Sequence, residues 1–144
     1  MIKGIGVDMI EIGRIAELMV RKGDRLSERV FTPRELECAR DGRYHGLAAR
    51  FAAKEAVAKA LGTGVRGFGW NEIEIVENPS GAPAVVLHGR AVDVARRLGV
   101  GQVFVSLSHC DSYAIAFAIA VGGDHASHES CDCRGNEGDR PQDN

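Results

Sequence analysis

Aromatic residues make up only 6% of this 144-residue chain, and its 18 basic side chains nearly cancel its 20 acidic ones. A nucleic-acid partner calls for a basic surface interleaved with aromatics, which this balance does not supply. Long apolar runs are missing too. The longest, Tyr113 to Val121, falls well short of the roughly 20 residues that span a bilayer, so no membrane segment is expected. The opening Met1-Ile2-Lys3-Gly4-Ile5-Gly6 leads straight into a strand-like pattern instead of a signal peptide, and a cytoplasmic protein is expected. Cysteine is sparse. Cys38, Cys110, Cys131 and Cys133 suggest no disulfide framework, and a chain of this size folds without one. Cys110 follows His109, but neighbours on a strand point to opposite faces, which is a poor arrangement for a Cys–His nucleophile.

What is present fits one domain with one core, at 44% hydrophobic residues. Apolar content collapses from Gly122 onward, where six acids face only Arg134 and Arg140. Residues 122–144 are therefore expected to be a disordered acidic tail behind a folded domain of residues 1–121. His125, His128, Cys131 and Cys133 in that tail are zinc-binding types, yet their spacing departs from structural zinc patterns. Arg14, Arg21, Lys22, Arg25 and Arg29 concentrate near the N-terminus, where a local basic surface favours an acidic partner.

The pattern predicts a strand over residues 2–10, with Ile5, Val7 and Met9 on one face and Gly4, Gly6 and Asp8 on the other. Those glycines clear room for another backbone or a ligand beside Asp8. A helix over 11–22 should stop at Gly23, and Thr32-Pro33-Arg34-Glu35 starts a second one that runs to Arg40. A central helix over 47–61 is followed by a loop containing Gly62, Gly64, Gly67 and Gly69. Strands over 71–77 and 83–88 flank the turn Asn78-Pro79-Ser80-Gly81, and a short helix over 90–98 ends at Gly99. A last hairpin pairs 102–109 with 112–121. Its second strand puts Tyr113, Ile115, Phe117 and Ile119 on one face and Ala114, Ala116, Ala118 and Ala120 on the other, an alanine surface open to very close packing by a helix or another subunit.

Phe51, Glu55 and Lys59 recur at i, i+4, i+8 and share one face of the central helix. Glu55 and Lys59 form either an ordinary helix pair, worth roughly 0.2–0.5 kcal/mol, or a site for a metal and a phosphate. Asp8 either complements the dipole of the helix that follows it or joins Glu55 around magnesium, which takes one or two carboxylates plus substrate phosphates. His109 at a strand end is structural, or donates to a phosphate or shuttles a proton. Arg14 and Arg21, seven residues apart with Leu18 between them, are solvated charges or a docking face. Met9 stands where a dinucleotide motif needs its third glycine, and Gly62-Thr63-Gly64 lacks the Gly-Lys-Ser/Thr of a P-loop.

Four motifs in register resemble one family. Gly4-Ile5-Gly6-Val7-Asp8, Arg50-Phe51-Ala52-Ala53-Lys54-Glu55-Ala56, Asn78-Pro79-Ser80-Gly81-Ala82-Pro83 and Ser106-Leu107-Ser108-His109 are similar to those of the holo-acyl-carrier-protein synthases, over residues 1 to about 121. These magnesium-dependent phosphopantetheinyl transferases move 4′-phosphopantetheine from coenzyme A to a serine of apo-acyl carrier protein and release adenosine 3′,5′-bisphosphate, in support of fatty acid biosynthesis. The resemblance implies an α+β fold, with an antiparallel sheet packed on a long central helix, and a homotrimer with sites at subunit interfaces. It implies Asp8 and Glu55 as metal ligands, Lys59, Gly81, Pro83 and His109 as coenzyme contacts, and Arg14 and Arg21 as contacts to the acidic carrier. Either Glu55 or a metal-ordered water would take the serine proton. Two other readings are a transferase for polyketide or peptide synthase carrier domains, and a trimeric protein that binds coenzyme A or a carrier without transfer. The second has no need of both carboxylates.

Overall fold

Small residues alternate with large apolar ones along β1 (Ile2–Glu11) and β5 (Tyr113–Gly122), and this alternation sets the architecture of the computed structural model. The structure describes residues 1–39, 42–62 and 67–123. β1, β5 and β4 (Val100–His109) form an antiparallel sheet in the order β1-β5-β4. Gly4 lies opposite Ala120, Gly6 opposite Ala118 and Asp8 opposite Ala116. The resulting surface of glycine and alanine receives α3 (His45–Ala60), the central helix. Contact is so close that a Cβ at Gly6 would overlap the Ala56 carbonyl oxygen, and one at Gly4 that of Ala60. The alanine face of β5 is fully buried, closed by a helix of the same chain.

The other face of the sheet is uncovered. Ile5 is 71% exposed, Met9 62% and Phe117 55%, with Val7, Phe104 and Ile119 also exposed beside them. The architecture is α+β, with the antiparallel sheet packed on the long central helix as expected.

α1 (Ile12–Val30) is longer than its sequence pattern implies. Gly23 does leave helical geometry, at φ 56° and ψ −150°, but the chain resumes as helix after it and packs Leu26 and Val30 with Ile12, Ile15, Phe31 and Leu47 in the core. α2 (Pro33–Leu36) carries the expected capping box, in which the Thr32 side chain accepts from the Glu35 amide. It lasts one turn and gives way to a 3-10 turn at Glu37–Ala39, so the helix expected to reach position 40 is shorter.

β2 (Ile73–Glu77) begins after a 3-10 turn at Trp70–Glu72 and pairs with β3 (Pro83–Leu87) as a separate two-stranded sheet. The alternation of glutamate and isoleucine there suggests a half-buried strand. In fact Glu74 is buried too, because the Thr32 hydroxyl donates to it at 2.5 Å and the His88 ring lies 3.3 Å away. α4 (Gly89–Arg97) then leads into β4. Among the described residues no helix is long and apolar enough to cross a membrane. The expected Gly62-Thr63-Gly64 turn lies partly, and the acidic tail almost wholly, outside the described residues.

Candidate active site

Asp8 sits on the helix-facing side of β1, where the glycines let α3 come close. Two successive turns of α3 present Glu55 and Lys59. Lys59 Nζ donates to Asp8 Oδ1 at 3.1 Å and to the Val7 carbonyl at 2.9 Å. The ammonium therefore bridges helix and strand. Burial raises the proton affinity of the half-buried Glu55; the nearby Asp8 charge raises it further, and Lys59 opposes both. A divalent cation would relieve the repulsion that the Asp8 charge exerts on Glu55. Among the described residues no third His, Cys, Asp or Glu completes an all-protein metal site. Asp8 and Glu55 thus suit magnesium, a cation that keeps waters and substrate phosphates as its remaining ligands.

Gly81 and Pro83 lie elsewhere. The Asn78 side chain organises their turn, accepting from the Ser80 amide at 3.1 Å and the Ala82 amide at 3.0 Å, while Gly81 takes φ 82°. With Arg50 and Ser106 they line a cavity of about 200 Å³. Arg50 Nη1 donates to the Gly46 carbonyl at 3.2 Å, and Nη2 stands 3.7 Å from Glu77. Its Nε–H is buried with no hydrogen-bond partner. A guanidinium with an unused donor beside a cavity is a natural phosphate ligand. Arg50 stands first in the central motif, yet nothing in its sequence context signals its place beside this cavity.

His109, at the exposed end of β4, meets His45 at 5.6 Å between ring centroids, with the rings tilted by 52°, and shares a further cavity with Arg43, Cys38 and Cys110. The structure thus joins Asp8 to Lys59 directly, sets Glu55 within the electrostatic reach of both, and distributes Gly81, Pro83 and His109 over two other cavities. Arg14 and Arg21 are exposed on α1. Leu18, between them, helps line an apolar groove of about 220 Å³ walled by Phe51 and Trp70, whose rings stack at 5.2 Å. Lys22, Arg25 and Arg29 edge the open cleft next to it.

Sequence reasoning also misses a buried ion pair. Lys54, next to Glu55, is fully buried against Glu35 at 2.6 Å, and burial holds its pKa down despite that partner. The only signal in the sequence is a lone lysine among the alanines of the helix's inner face.

Comparison with known proteins finds relatives that cover most of the chain. The model of the 4′-phosphopantetheinyl transferase superfamily matches residues 4–118. The holo-[acyl-carrier-protein] synthase of Desulforudis audaxviator is 53% identical over 124 residues, covering 85% of this chain and 95% of that protein. That of Moorella thermoacetica is 52% identical over 116 residues, covering 79% and 90%. The crystal structure of the Neisseria meningitidis holo-[acyl-carrier-protein] synthase superposes with a TM-score of 0.77 at 35% identity, covering 84% of this chain and 99% of that one. The Helicobacter pylori synthase in complex with coenzyme A gives 0.73 at 29% identity, covering 81% and 99%.

Proposed function

This chain belongs to the holo-[acyl-carrier-protein] synthase family of phosphopantetheinyl transferases, and from that membership we propose that it moves 4′-phosphopantetheine from coenzyme A to a serine of apo-acyl carrier protein. The observation that carries this reading is the meeting of Asp8, Glu55 and Lys59 where a glycine-cleared strand meets the central helix. Asp8 and Glu55 would hold magnesium, which when bound supplies charge neutralisation to the pyrophosphate of the coenzyme. Phosphoryl-type transfer asks for positioning and charge compensation more than covalent help. Lys59 is half exposed, and its ammonium can leave Asp8 for a coenzyme phosphate. Arg50, the Gly81–Pro83 turn and His109 would hold the rest of the coenzyme. Either Glu55 or a metal-ordered water would accept the serine proton as the serine Oγ–P bond forms and the P–O bond of the coenzyme pyrophosphate breaks. The other product is adenosine 3′,5′-bisphosphate, and the reaction serves fatty acid biosynthesis in the cytoplasm.

Arg14 and Arg21 would meet the acidic carrier, and residues 1–121 form the unit that does the chemistry. The homotrimer rests on the family resemblance, and the uncovered apolar sheet face is the surface it would bury, since Ile5, Met9 and Phe117 would otherwise stay in water. Phe117→Glu is expected to convert the assembly to monomers in sedimentation or light scattering; an unchanged mass would exclude that face as the interface. The metal site is tested by calorimetry of coenzyme A binding. Affinity should fall about tenfold or more when magnesium is removed, and Asp8→Ala should abolish that dependence, the scale of a lost charge-assisted contact. Equal affinity with and without magnesium would refute the assignment of Asp8 and Glu55.

A further inference from the structure

A lysine with no exposed surface needs a reason, and the surroundings of Lys54 supply one. Its Nζ donates to Glu35 Oε1 at 2.6 Å, to the Ile73 carbonyl at 2.5 Å and to the Trp70 carbonyl at 3.1 Å, which uses all three N–H groups. Glu35, 1% exposed, is occupied at both oxygens. Oε1 also accepts from the Thr32 amide at 2.9 Å, and Oε2 from the Ile75 amide at 3.1 Å. A buried ion pair is by itself weak ground for stability, because apolar residues of similar volume often do as well. Apolar residues, however, cannot bind two buried carbonyls and two amides drawn from separate segments.

Those segments carry walls of the groove beside α1. Phe31 directly precedes Thr32, and its ring centroid lies 5.6 Å from Lys54 Nζ. Trp70 gives its carbonyl to the same ammonium. Phe51 is three residues before Lys54 on α3 and stacks on Trp70. One ion pair therefore ties down three aromatic side chains that line the groove.

We propose that Glu35 and Lys54 are positioning residues for carrier recognition, holding Phe31, Phe51 and Trp70 in the register that shapes the groove next to the basic face of α1. The inference rests on the reading that the acidic carrier docks along α1. The pair acts on the docking wall and not on the reacting carboxylates, so its loss has a distinct signature. In Lys54→Met, KM for apo-carrier should rise about tenfold or more, the loss of a binding determinant. Half-saturation by coenzyme A should stay within about twofold, far less than one tenfold step of binding energy. The emission of Trp70, the only tryptophan in the chain, should shift in the folded, unliganded variant.

A merely structural pair would lower the thermal midpoint and leave carrier KM and Trp70 emission at wild-type values. That result overturns the proposal, as does a parallel rise in both substrate constants. If Lys54→Met does not fold, the isosteric Glu35→Gln is read in the same way. Hydrogen exchange of the wild-type protein gives a measurement free of variants: the Thr32 and Ile75 amides, both bound to Glu35, should gain protection when apo-carrier is added. No gain contradicts the coupling. Arg14→Glu separates the two levels. If it leaves carrier KM unchanged, docking along α1 fails and this inference fails with it. If it raises KM while Lys54→Met does not, only the positioning role is lost.

Discussion

Asp8→Ala is expected to leave a folded enzyme whose transfer rate is lower by on the order of 10²-fold or more, the scale for removing a key electrostatic group. The substitution should be structurally mild. Alanine at position 8 would lie opposite Ala116 on a surface already made of glycine and alanine. The lost contact is the Asp8–Lys59 pair, half exposed at the lysine and worth about 0–1 kcal/mol in water. Chemistry should therefore suffer far more than stability. Removing Asp8 also removes one cause of the raised proton affinity of Glu55, leaving burial as the main one. Glu55→Gln should show a loss of similar size. Rates near wild type in both variants, measured with saturating coenzyme A and carrier, would show that the two carboxylates are not the reacting centre.

The second large effect is structural. Gly6→Ala puts a methyl group into the Ala56 carbonyl oxygen, and neither backbone can yield without separating β1 from α3. Overpacking of this kind costs about 1–3 kcal/mol where side chains can shift, and more is expected where only backbone faces the new atom. The thermal midpoint should fall by about 10 °C or more, since each kcal/mol moves a domain of this size by several degrees. Activity should fall with it, because the same crossing brings Asp8 to α3. Gly13→Ala is the control. A Cβ there meets nothing within 4 Å, and an exposed helix gains up to about 1 kcal/mol when alanine replaces glycine. A Gly6→Ala protein as stable as wild type would mean that β1 and α3 are not in backbone contact at this crossing.

These two residues also mark how far the sequence can be read. Gly4, Gly6 and Asp8 share a face because strand periodicity is local, so close approach at Asp8 is legible from the sequence alone. The alanine face of β5 is legible for the same reason, although its partner is not. Periodicity says which residues lie together on one element and nothing about which element covers them. Lys59 shows the limit. Its spacing from Glu55 points to a helix pair, whereas the fold turns it to Asp8, 51 residues away. The Lys54–Glu35 pair and the Glu74–Thr32 contact span 19 and 42 residues, and no local pattern announces either. Gly23 reads as a stop because its backbone does leave the helix; what lies beyond depends on Leu26 and Val30 finding the core. His109 does stand at a strand end, as its pattern predicts, but its company of His45 and Arg43 belongs to the tertiary fold.

The most direct test is intact-mass analysis of apo-acyl carrier protein incubated with this chain, coenzyme A and magnesium. The account predicts a gain of one phosphopantetheine on the carrier, with adenosine 3′,5′-bisphosphate released and the gain abolished by chelator. A carrier whose mass stays unchanged, or one modified equally well in the presence of chelator, would contradict it.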